Sequence, residues 1–238
     1  MSNRCALVTG SSSGIGKAIS ERLLEVGYKV MGIARDHSKF NPDVPNYHPF
    51  TADLSDFKQS NEIVTKILQQ HSDVDILVSN AGQGCFQSLE NFSTDQICEF
   101  LDLNLTTHIL MCQRLVKHFK QGVGGNVIIM GSESALRGKR KATLYSAAKF
   151  GLRGFSQALS EEVSASNIRV SLINPGAVRT PFFDKLGFQP GDDDTNAIEA
   201  SDVAEVVVNI IESRPQTLLE EVNLAPAKKV IKFNKTKI

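Results

Sequence analysis

The sequence lacks a net charge and a long apolar run, and its first residues lack the apolar core of a signal peptide. Lys plus Arg total 26 and Asp plus Glu total 26, so no overall field draws the chain to nucleic acid or to an anionic membrane. No apolar stretch approaches the roughly 18 residues that a membrane span requires. Residues 1–4 lead into an apolar run without the hydrophobic core of a signal peptide. We therefore expect a cytoplasmic protein that acts on small molecules and binds neither nucleic acid nor membrane.

The spacings that bind metal ions are also missing from the sequence. The four cysteines form no Cys-x-x-Cys pair, and the five histidines never fall at a His-x-x-x-His spacing. The cysteines lie mostly within apolar patterns, which is typical of reduced thiols in a core. They are Cys5, Cys85, Cys98 and Cys112. The sequence predicts no metal site, and a disulfide is the minor alternative.

Short β-rich runs alternate with amphipathic helical patterns along the chain. The predicted strands are 5–8, 29–33, 76–79, 126–130, 169–173 and 221–224. The predicted helices are 15–26, 60–70, 95–120, 145–165 and 200–212. Strands that alternate with helices form parallel sheets. We predict a doubly wound α/β fold of the Rossmann type, with helices on both faces of a parallel sheet, as a single domain over residues 1–238.

One irregular stretch, residues 180–196, interrupts this alternation. It combines Phe182, Phe183 and Phe188 with a Pro-Gly pair and three consecutive aspartates. Apolar rings beside turn-forming and charged residues are typical of a loop that covers an apolar pocket. We predict that this stretch covers the substrate, with an ordinary surface connection as the alternative.

A glycine-rich turn follows the first predicted strand and begins the first predicted helix. Gly10 permits a tight turn, Gly14 lets the backbone approach a pyrophosphate, and Gly16 allows close packing. The helix N-terminus favours an anion at this point. The spacing Gly-x-x-x-Gly-x-Gly departs from the usual dinucleotide fingerprint Gly-x-Gly-x-x-Gly, so a plain connection is the alternative reading of this turn.

Tyr145 and Lys149 stand four residues apart in a helical pattern, which puts both side chains over the same surface patch. A nearby cation favours phenolate, so we expect Lys149 to lower the pKa of Tyr145 from its reference near ~10 toward working pH. Such a phenol exchanges a proton with a carbinol oxygen. Ser132 follows the predicted strand 126–130 and can polarise the same oxygen. Together the three residues predict interconversion of a carbonyl and an alcohol.

The order of these motifs resembles the short-chain dehydrogenase/reductase family, and the resemblance covers nearly the whole chain. The matching signatures are Thr-Gly-x-x-x-Gly-x-Gly at 9–16, Asn-Ala-Gly at 80–82, Ser132 and Tyr-x-x-x-Lys at 145–149. The resemblance implies that Tyr145 is the acid/base and that Lys149 also grips a nicotinamide ribose. It further implies that Asn104, in the long helix, holds a proton-relaying water. Helix packing is the alternative role for Asn104.

A nicotinamide dinucleotide is the cofactor that this resemblance implies. The implied cofactor-binding residues are Gly10, Ser12, Ser13, Gly14, Ile15, Gly16, Arg35, Asp53, Leu54, Asn80, Ala81, Gly82, Tyr145, Lys149, Pro175, Gly176, Val178 and Thr180. In the family, the residue at the position of Asp53 caps the adenine ring. A solvated turn aspartate is the alternative for Asp53.

The end of the second predicted strand distinguishes the two forms of this cofactor. NAD-specific relatives carry an acid there for the ribose 2′-hydroxyl, whereas this chain has Ala34 followed by Arg35, whose guanidinium can pair with a 2′-phosphate. We therefore predict NADP(H). NAD(H) is the alternative, because Asp36 reaches the ribose if the strand ends later. In addition, Ser13 stands where some NADP-using relatives have a basic residue.

Several functional alternatives stay open from the sequence. They are a non-catalytic NADP-binding sensor on the same fold and an NAD-dependent alcohol dehydrogenase, whereas an extended sugar-nucleotide epimerase would normally need a longer chain. A 3-oxoacyl-carrier-protein reductase is one candidate, although residues 218–226 lack its usual Thr-Gly ending. The basic residues within 137–141 either attract an anionic substrate or form a solvated loop. The helices 95–120 and 143–165 resemble those at subunit faces in relatives, so we expect a homodimer or homotetramer.

Overall fold

Nine strands are present in the computed structural model of the protein, which describes residues 4–233. They are β1 Cys5–Thr9, β2 Lys29–Ala34, β3 Tyr47–Thr51, β4 Val74–Ser79, β5 Gly125–Met130, β6 Ile168–Pro175, β7 Phe188–Pro190, β8 Glu221–Leu224 and β9 Ile231–Phe233. Seven of them form a parallel sheet in the order β3, β2, β1, β4, β5, β6, β8. Strands β7 and β9 form a separate antiparallel pair. The predicted doubly wound parallel sheet is confirmed.

The strands of this sheet are connected mainly by α-helices. Within residues 4–233 the helices are α1 Gly14–Glu25, α2 Phe57–Gln70, α3 Thr94–Leu101, α4 Thr107–Gln121, α5 Thr143–Val163 and α6 Ala200–Glu212. Local sequence fixes several of their ends. The Asp56 carboxylate accepts hydrogen bonds from two first-turn amides of α2, and Ser93 and Gln96 form a capping box at α3.

Apolar residues of the sheet alternate between two cores, one on each face. In β1, Cys5 and Leu7 belong to the core that α2, α4 and α5 cover, whereas Ala6 and Val8 belong to the core that α1 and α6 cover. All five residues of β1 are buried. A strand that is apolar on both sides is typical of a parallel sheet with helices on both faces. This burial holds the carboxyl end of β1 at a fixed position.

Strand β3 and the helix 95–120 differ from the sequence predictions, which also included neither β7 nor β9. Strand β3 was not predicted, because its sequence Tyr-His-Pro-Phe-Thr contains a proline and lacks an apolar run; it lies at the sheet edge, where a missing amide is tolerated. The predicted helix 95–120 is not continuous. A π-helical turn, Asp102–Thr106, separates α3 from α4 and contains Asn104. Such turns often occur at functional sites.

Residues 1–3 and 234–238 lie outside the described part of the chain. The expectation that residues 1–3 belong to no leader segment therefore concerns residues whose structure is not described. Among residues 4–233, no helix combines the length and the apolar character that crossing a membrane requires.

Candidate active site

A cavity of about 530 Å³ lies at the carboxyl ends of the parallel strands. Residues that follow β1, β2, β4 and β5 line it, including Gly10, Arg35, Asn80 and Ser132. Strand β1 pairs with β2 on one side and β4 on the other, so the chain order reverses here. Doubly wound sheets bind ligands at such a switch point, because the connecting loops diverge and leave a crevice.

The glycine turn after β1 brings backbone, rather than side chains, to one wall of the cavity. Gly10 and Gly14 have φ angles of +67° and +52°, in the left-handed region that favours glycine. A Cβ atom on Gly16 would overlap the carbonyl oxygen of Gly10. Ser13, the N-cap of α1, makes no side-chain capping bond. The first turn of α1 therefore presents its amides toward an anion in the cavity.

The Asn-Ala-Gly segment is held against β1 by Thr9. The Thr9 hydroxyl oxygen accepts hydrogen bonds from the backbone amides of Asn80 at 2.8 Å and Ala81 at 2.9 Å. The Asn80 side-chain amide donates to the Thr9 carbonyl at 3.0 Å. These bonds lock the two strand ends together on either side of the switch point.

Charged residues gather at the end of the cavity beyond β2. Arg35 and Lys39 are both exposed and both line the wall. The Asp36 carboxylate instead accepts hydrogen bonds from the backbone amide and the hydroxyl of Ser38, both at 2.8 Å. The pKa of Asp53 is lowered, first by its hydrogen bond from Ser55 and in part by Arg35. Two cations, Arg35 and Lys39, and two carboxylates, Asp36 and Asp53, therefore line this end of the cavity.

Ser132 is fixed by the neighbouring strand rather than by its own loop. Its backbone amide donates to the Asn174 side-chain oxygen at 3.2 Å. The Asn174 amide nitrogen donates in turn to Glu221 and Asn223, each at 2.9 Å. The Ser132 hydroxyl oxygen accepts a bond from the amide of Ser134 at 3.1 Å. The Ser132 hydroxyl also forms a hydrogen bond with the Tyr145 side chain.

Tyr145 and Lys149 both line the cavity from the first turns of α5, but their electrostatics differ from the sequence prediction. The Lys149 ammonium donates to the Met130 carbonyl at 2.9 Å and lies 5.8 Å from the centre of the Tyr145 ring. Burial raises the pKa of Tyr145, although a hydrogen bond with Ser132 lowers it in part. The prediction that the pKa of Tyr145 is lowered toward working pH is therefore wrong, because burial has the largest effect on it. Burial instead lowers the pKa of Lys149 to about 8.

Asn104 connects the π-helical turn to the wall of the cavity. Its side-chain oxygen accepts a hydrogen bond from the amide of Gln83 at 3.0 Å, and its side-chain nitrogen donates to the Phe100 carbonyl at 3.0 Å. A Cβ atom on Gly82 would lie 2.9 Å from the same Asn104 oxygen. Asn104 is fully buried. Its side chain thus holds the segment after Ala81 in position.

His108, one helical turn after Asn104, is a buried titratable group that the sequence did not single out. Its Nδ1 lies 2.8 Å from the Ser79 hydroxyl, at the end of β4. Burial, together with the nearby Lys149 charge, lowers the pKa of His108 to about 3. His108 is therefore neutral at ordinary pH, beneath the Asn-Ala-Gly segment.

The residues predicted from the sequence largely converge on this one cavity. All of them line its wall except Gly16 and Gly176. Gly16 packs against Gly10, as the prediction of close packing required. Gly176 instead donates its amide to the Leu224 carbonyl at 2.8 Å, and a Cβ atom there would meet Pro226 at 3.0 Å. Its place is at the end of the sheet, behind the cavity.

Several lining residues were missed by sequence reasoning. Lys39 lies in a loop with no motif, and its position beside Arg35 follows only from the turn after β2. The others come mainly from short loops, namely Gln83, Gly84, Leu103, Met130, Gly131 and residues 181–186. The rings within 180–196 were the available signal for the last of these. No grouping of three His, Cys, Asp or Glu side chains suited to a metal ion occurs among residues 4–233.

Known sequences resemble this chain over most of its length. The family profile described as short chain dehydrogenase matches residues 4–190. Carbonyl reductase family member 4 of Xenopus laevis is 32% identical over 223 residues, which cover 90% of this chain and 92% of that protein.

Solved structures with the same fold carry nicotinamide dinucleotides. An alcohol dehydrogenase from the archaeon Thermococcus sibiricus, complexed with 5-hydroxy-NADP, is 25% identical with a TM-score of 0.84, covering 95% of this chain and 98% of that one. A 3-ketoacyl-(acyl-carrier-protein) reductase from Brucella melitensis, complexed with NADH, shares the fold at 24% identity, with a TM-score of 0.83 and coverage of 95% and 98%. This chain belongs to the short-chain dehydrogenase/reductase family of oxidoreductase enzymes.

Proposed function

We propose that this enzyme uses NADPH to reduce a carbonyl compound to a secondary alcohol, with Tyr145 as the acid/base. One observation carries the proposal: Ser132, Tyr145 and Lys149 line the same cavity as the glycine turn. A nucleotide on that turn and a carbonyl at the phenol would share one enclosed space. The Xenopus laevis carbonyl reductase relative supports the same reaction class.

The residues of the glycine turn fit a dinucleotide. The positive φ angles at Gly10 and Gly14 and the uncapped start of α1 make a backbone cradle that suits a pyrophosphate. Asp53 and Leu54 line the far end, where an adenine would lie, and Lys149 lines the nicotinamide end. The cofactor, when bound, supplies the hydride that reduces the carbonyl carbon.

Proton donation falls to Tyr145 in this proposal. Because burial raises the pKa of Tyr145, the phenol is protonated at neutral pH and can give its proton to the developing alkoxide. Ser132, whose hydroxyl hydrogen-bonds Tyr145 in this structure, donates to the same oxygen when the substrate is bound. The Lys149 ammonium stabilises the phenolate left behind. Asn104 holds the adjoining backbone and, as a further part of the proposal, the relay water.

NADPH is favoured over NADH by the charges beyond β2. Arg35 and Lys39 give a 2′-phosphate two cations, and guanidinium groups bind phosphate strongly. Asp36, the acid that kept NAD(H) open, has its carboxylate turned toward Ser38. An NAD-dependent alcohol dehydrogenase therefore stays the weaker alternative.

Replacing Tyr145 with Phe tests the assignment while removing a single oxygen. We expect Tyr145→Phe to bind NADPH with nearly unchanged affinity, measured by fluorescence titration, and to lose turnover of every carbonyl tested. Tyr28→Phe is the matched control, because Tyr28 is also buried and its hydroxyl contacts Glu212 instead of the cavity. Normal turnover by Tyr145→Phe would refute the role of the phenol.

A non-catalytic sensor is distinguished in the same assay. A sensor would bind NADPH without oxidising it in the presence of any aldehyde, ketone or 3-oxo acid. The presence of Ser132, Tyr145 and Lys149 in one cavity argues against that alternative.

Subunit association and location stay predictions. The expected homodimer or homotetramer is tested by gel filtration with light scattering, and a strictly monomeric mass at working concentration would remove it. The cytoplasmic location is tested by fractionating cells that express the protein. The role of residues 180–196 as a substrate cover belongs to the same proposal.

A further inference from the structure

A group of four phenylalanine rings, which we call the ring wall, stands beside Tyr145. It consists of Phe86, Phe182, Phe183 and Phe188. The ring centres of Phe86 and Phe182 lie 5.1 Å and 6.1 Å from that of Tyr145. The ring centres of Phe86 and Phe188 lie 5.0 Å apart. The wall is thus continuous from the phenol outward into residues 180–196.

The ring wall is separate from the two cores of the sheet. Its four rings are only half-buried, whereas the core side chains are almost fully enclosed. Gly84 allows Phe182 and Phe86 to approach each other, because a Cβ there would lie 2.5 Å from the first ring and 2.8 Å from the second. Phe182 and Phe183 line the cavity, and Phe86 and Phe188 pack against them. Half-exposed aromatic faces beside a cavity gain stability when an apolar ligand covers them.

The chain's own C-terminal segment fixes the outer end of the wall. Phe188 begins β7, which pairs with β9, and its ring lies 6.3 Å from that of Phe233. The amide of Gly191 donates to the Val230 carbonyl at 3.0 Å. Lys229, in the same segment, forms an ion pair with Glu133 at 3.0 Å, next to Ser132. The wall is therefore held by backbone pairing and by an ion pair.

The charges around the wall do not provide an anion site near the phenol. Residues 180–196 bring Asp184 and Lys185 to the cavity, and these two neighbouring side chains carry opposite charges. Lys139 is paired with Glu133, and residues 137–141 are exposed and absent from the described lining of the cavity. Lys149 is committed to the Met130 carbonyl. A carboxylate on the substrate would thus meet rings rather than a dedicated cation.

We infer that the substrate is an uncharged carbonyl compound with a phenyl-sized apolar ring, bound against Phe86 and Phe182. This inference rests on the proposed carbonyl reduction and names its substrate class. A planar ring stacks on or meets the edges of these phenylalanines, and an apolar contact of this size strongly favours one substrate over a smaller one. A 3-oxo acid would gain neither the ring contact nor a paired charge.

The inference is tested by measuring kcat/KM of the full-length enzyme with NADPH for three carbonyl compounds. They are acetophenone, butan-2-one and acetoacetate. We expect kcat/KM for acetophenone to exceed that for each of the other two by roughly tenfold or more. Preference for acetoacetate, or equal values for all three, overturns the ring inference but leaves carbonyl reduction standing. Failure to oxidise NADPH with any carbonyl overturns the proposed function and this inference together.

Variants of the wall test the named rings. Phe86→Ala and Phe182→Ala should each lower the acetophenone to butan-2-one ratio of kcat/KM by roughly tenfold to a hundredfold, without changing the Kd for NADPH. Phe57→Ala is the control, since Phe57 is also half-buried but begins α2 away from the cavity lining. An unchanged ratio in both wall variants overturns the inference. Phe182→Leu and Phe86→Leu, which keep apolar volume, replace the alanine variants if those fail to fold.

Discussion

The nucleotide part and the substrate part of the cavity are built by different means. In the nucleotide part, formed by residues 9–16 and the ends of β2 and β4, backbone groups follow strands that are almost fully buried. In the proposed substrate part, beside the ring wall, side chains project from loops, and all three residues of β9, which pairs with β7 behind the wall, are exposed. Buried backbone geometry accepts few sequences, whereas exposed loop side chains exchange freely. We therefore expect the fold to determine the cofactor class and a few rings to select the substrate.

After Tyr145→Phe, the largest expected effect comes from Ser132, which stands between the two parts. In Ser132→Ala the hydroxyl that donates to the carbonyl oxygen is lost, so kcat should fall roughly 100-fold to 1000-fold. The Kd for NADPH should stay near the wild-type value, because the Ser132 backbone remains anchored to Asn174. Steady-state kinetics and fluorescence titration check the two expectations. A similar fractional change in both constants would mean that the two parts are not separable.

A pair of glycine variants compares the backbone of the two parts. In Gly16→Ala the new Cβ overlaps the Gly10 carbonyl, so we expect NADPH affinity to fall roughly tenfold or more and the protein to lose about 1–3 kcal/mol of unfolding free energy. Gly187→Ala, within residues 180–196, is the control, because a Cβ atom added there meets no atom within 4 Å. Fluorescence titration measures the NADPH affinity of each variant, and thermal unfolding measures its stability. Equal tolerance at the two positions would contradict the close packing of the glycine turn.

An Arg35 variant tests only which form of the cofactor, NADPH or NADH, the nucleotide part prefers. A charge-assisted hydrogen bond contributes about 1.5–3 kcal/mol, so Arg35→Ala should weaken NADPH binding roughly tenfold to a hundredfold and leave NADH binding nearly unchanged. Arg137→Ala, in the exposed loop outside the cavity lining, should change neither affinity. Loss of affinity for both nucleotides to the same extent would place Arg35 away from a 2′-phosphate.

The pH dependence of reduction reports on Lys149. Its pKa is lowered to about 8 by burial, so the ammonium is present below that pH and is lost above it. Because the ammonium stabilises the phenolate left by proton donation, kcat/KM for reduction should fall about tenfold per pH unit above pH 8. Below pH 8 the rate should be level down to neutral pH. A profile that stays level up to pH 10 would contradict this role of the charge.

His108 gives the smallest expected effect, on stability and not on rate. Its pKa is about 3 in the folded protein and near 6.5 in the unfolded chain, so the unfolded state binds more protons between these values. Stability should therefore decrease as pH falls below 6.5, with a contribution from His108 of about 1 kcal/mol between pH 6 and pH 5. His108→Gln, which keeps a polar partner for Ser79, should remove that contribution in urea unfolding. Identical pH slopes for the variant and the wild type would show that His108 is not neutral and buried.

The fold and most of the cavity could be predicted because their signals are local in the sequence. Alternating apolar runs predict the sheet, and glycine spacing predicts the turn after β1. Strand β3 escaped prediction because an edge position tolerates its Pro49 and its polar residues. The π-helical turn at Asn104 interrupts a helical pattern that continues through it.

Long-range contacts explain what the sequence could not predict at the site. The spacing of Tyr145 and Lys149 was read correctly, but the predicted direction of the Tyr145 pKa was wrong because burial is the largest cause of its shift. Likewise, Phe86 meets Phe188 only because two distant loops converge. Contacts of this kind leave no local pattern.

Transfer of isotope from the cofactor tests the central claim most directly. NADPH deuterated at both C4 positions is supplied with a ketone, and the alcohol is examined by NMR and mass spectrometry. We predict deuterium on the carbinol carbon with the wild-type enzyme and with Tyr28→Phe, and no labelled alcohol from Tyr145→Phe although that variant binds NADPH. Unlabelled alcohol from the wild type, or labelled alcohol formed by Tyr145→Phe at the wild-type rate, would contradict the account.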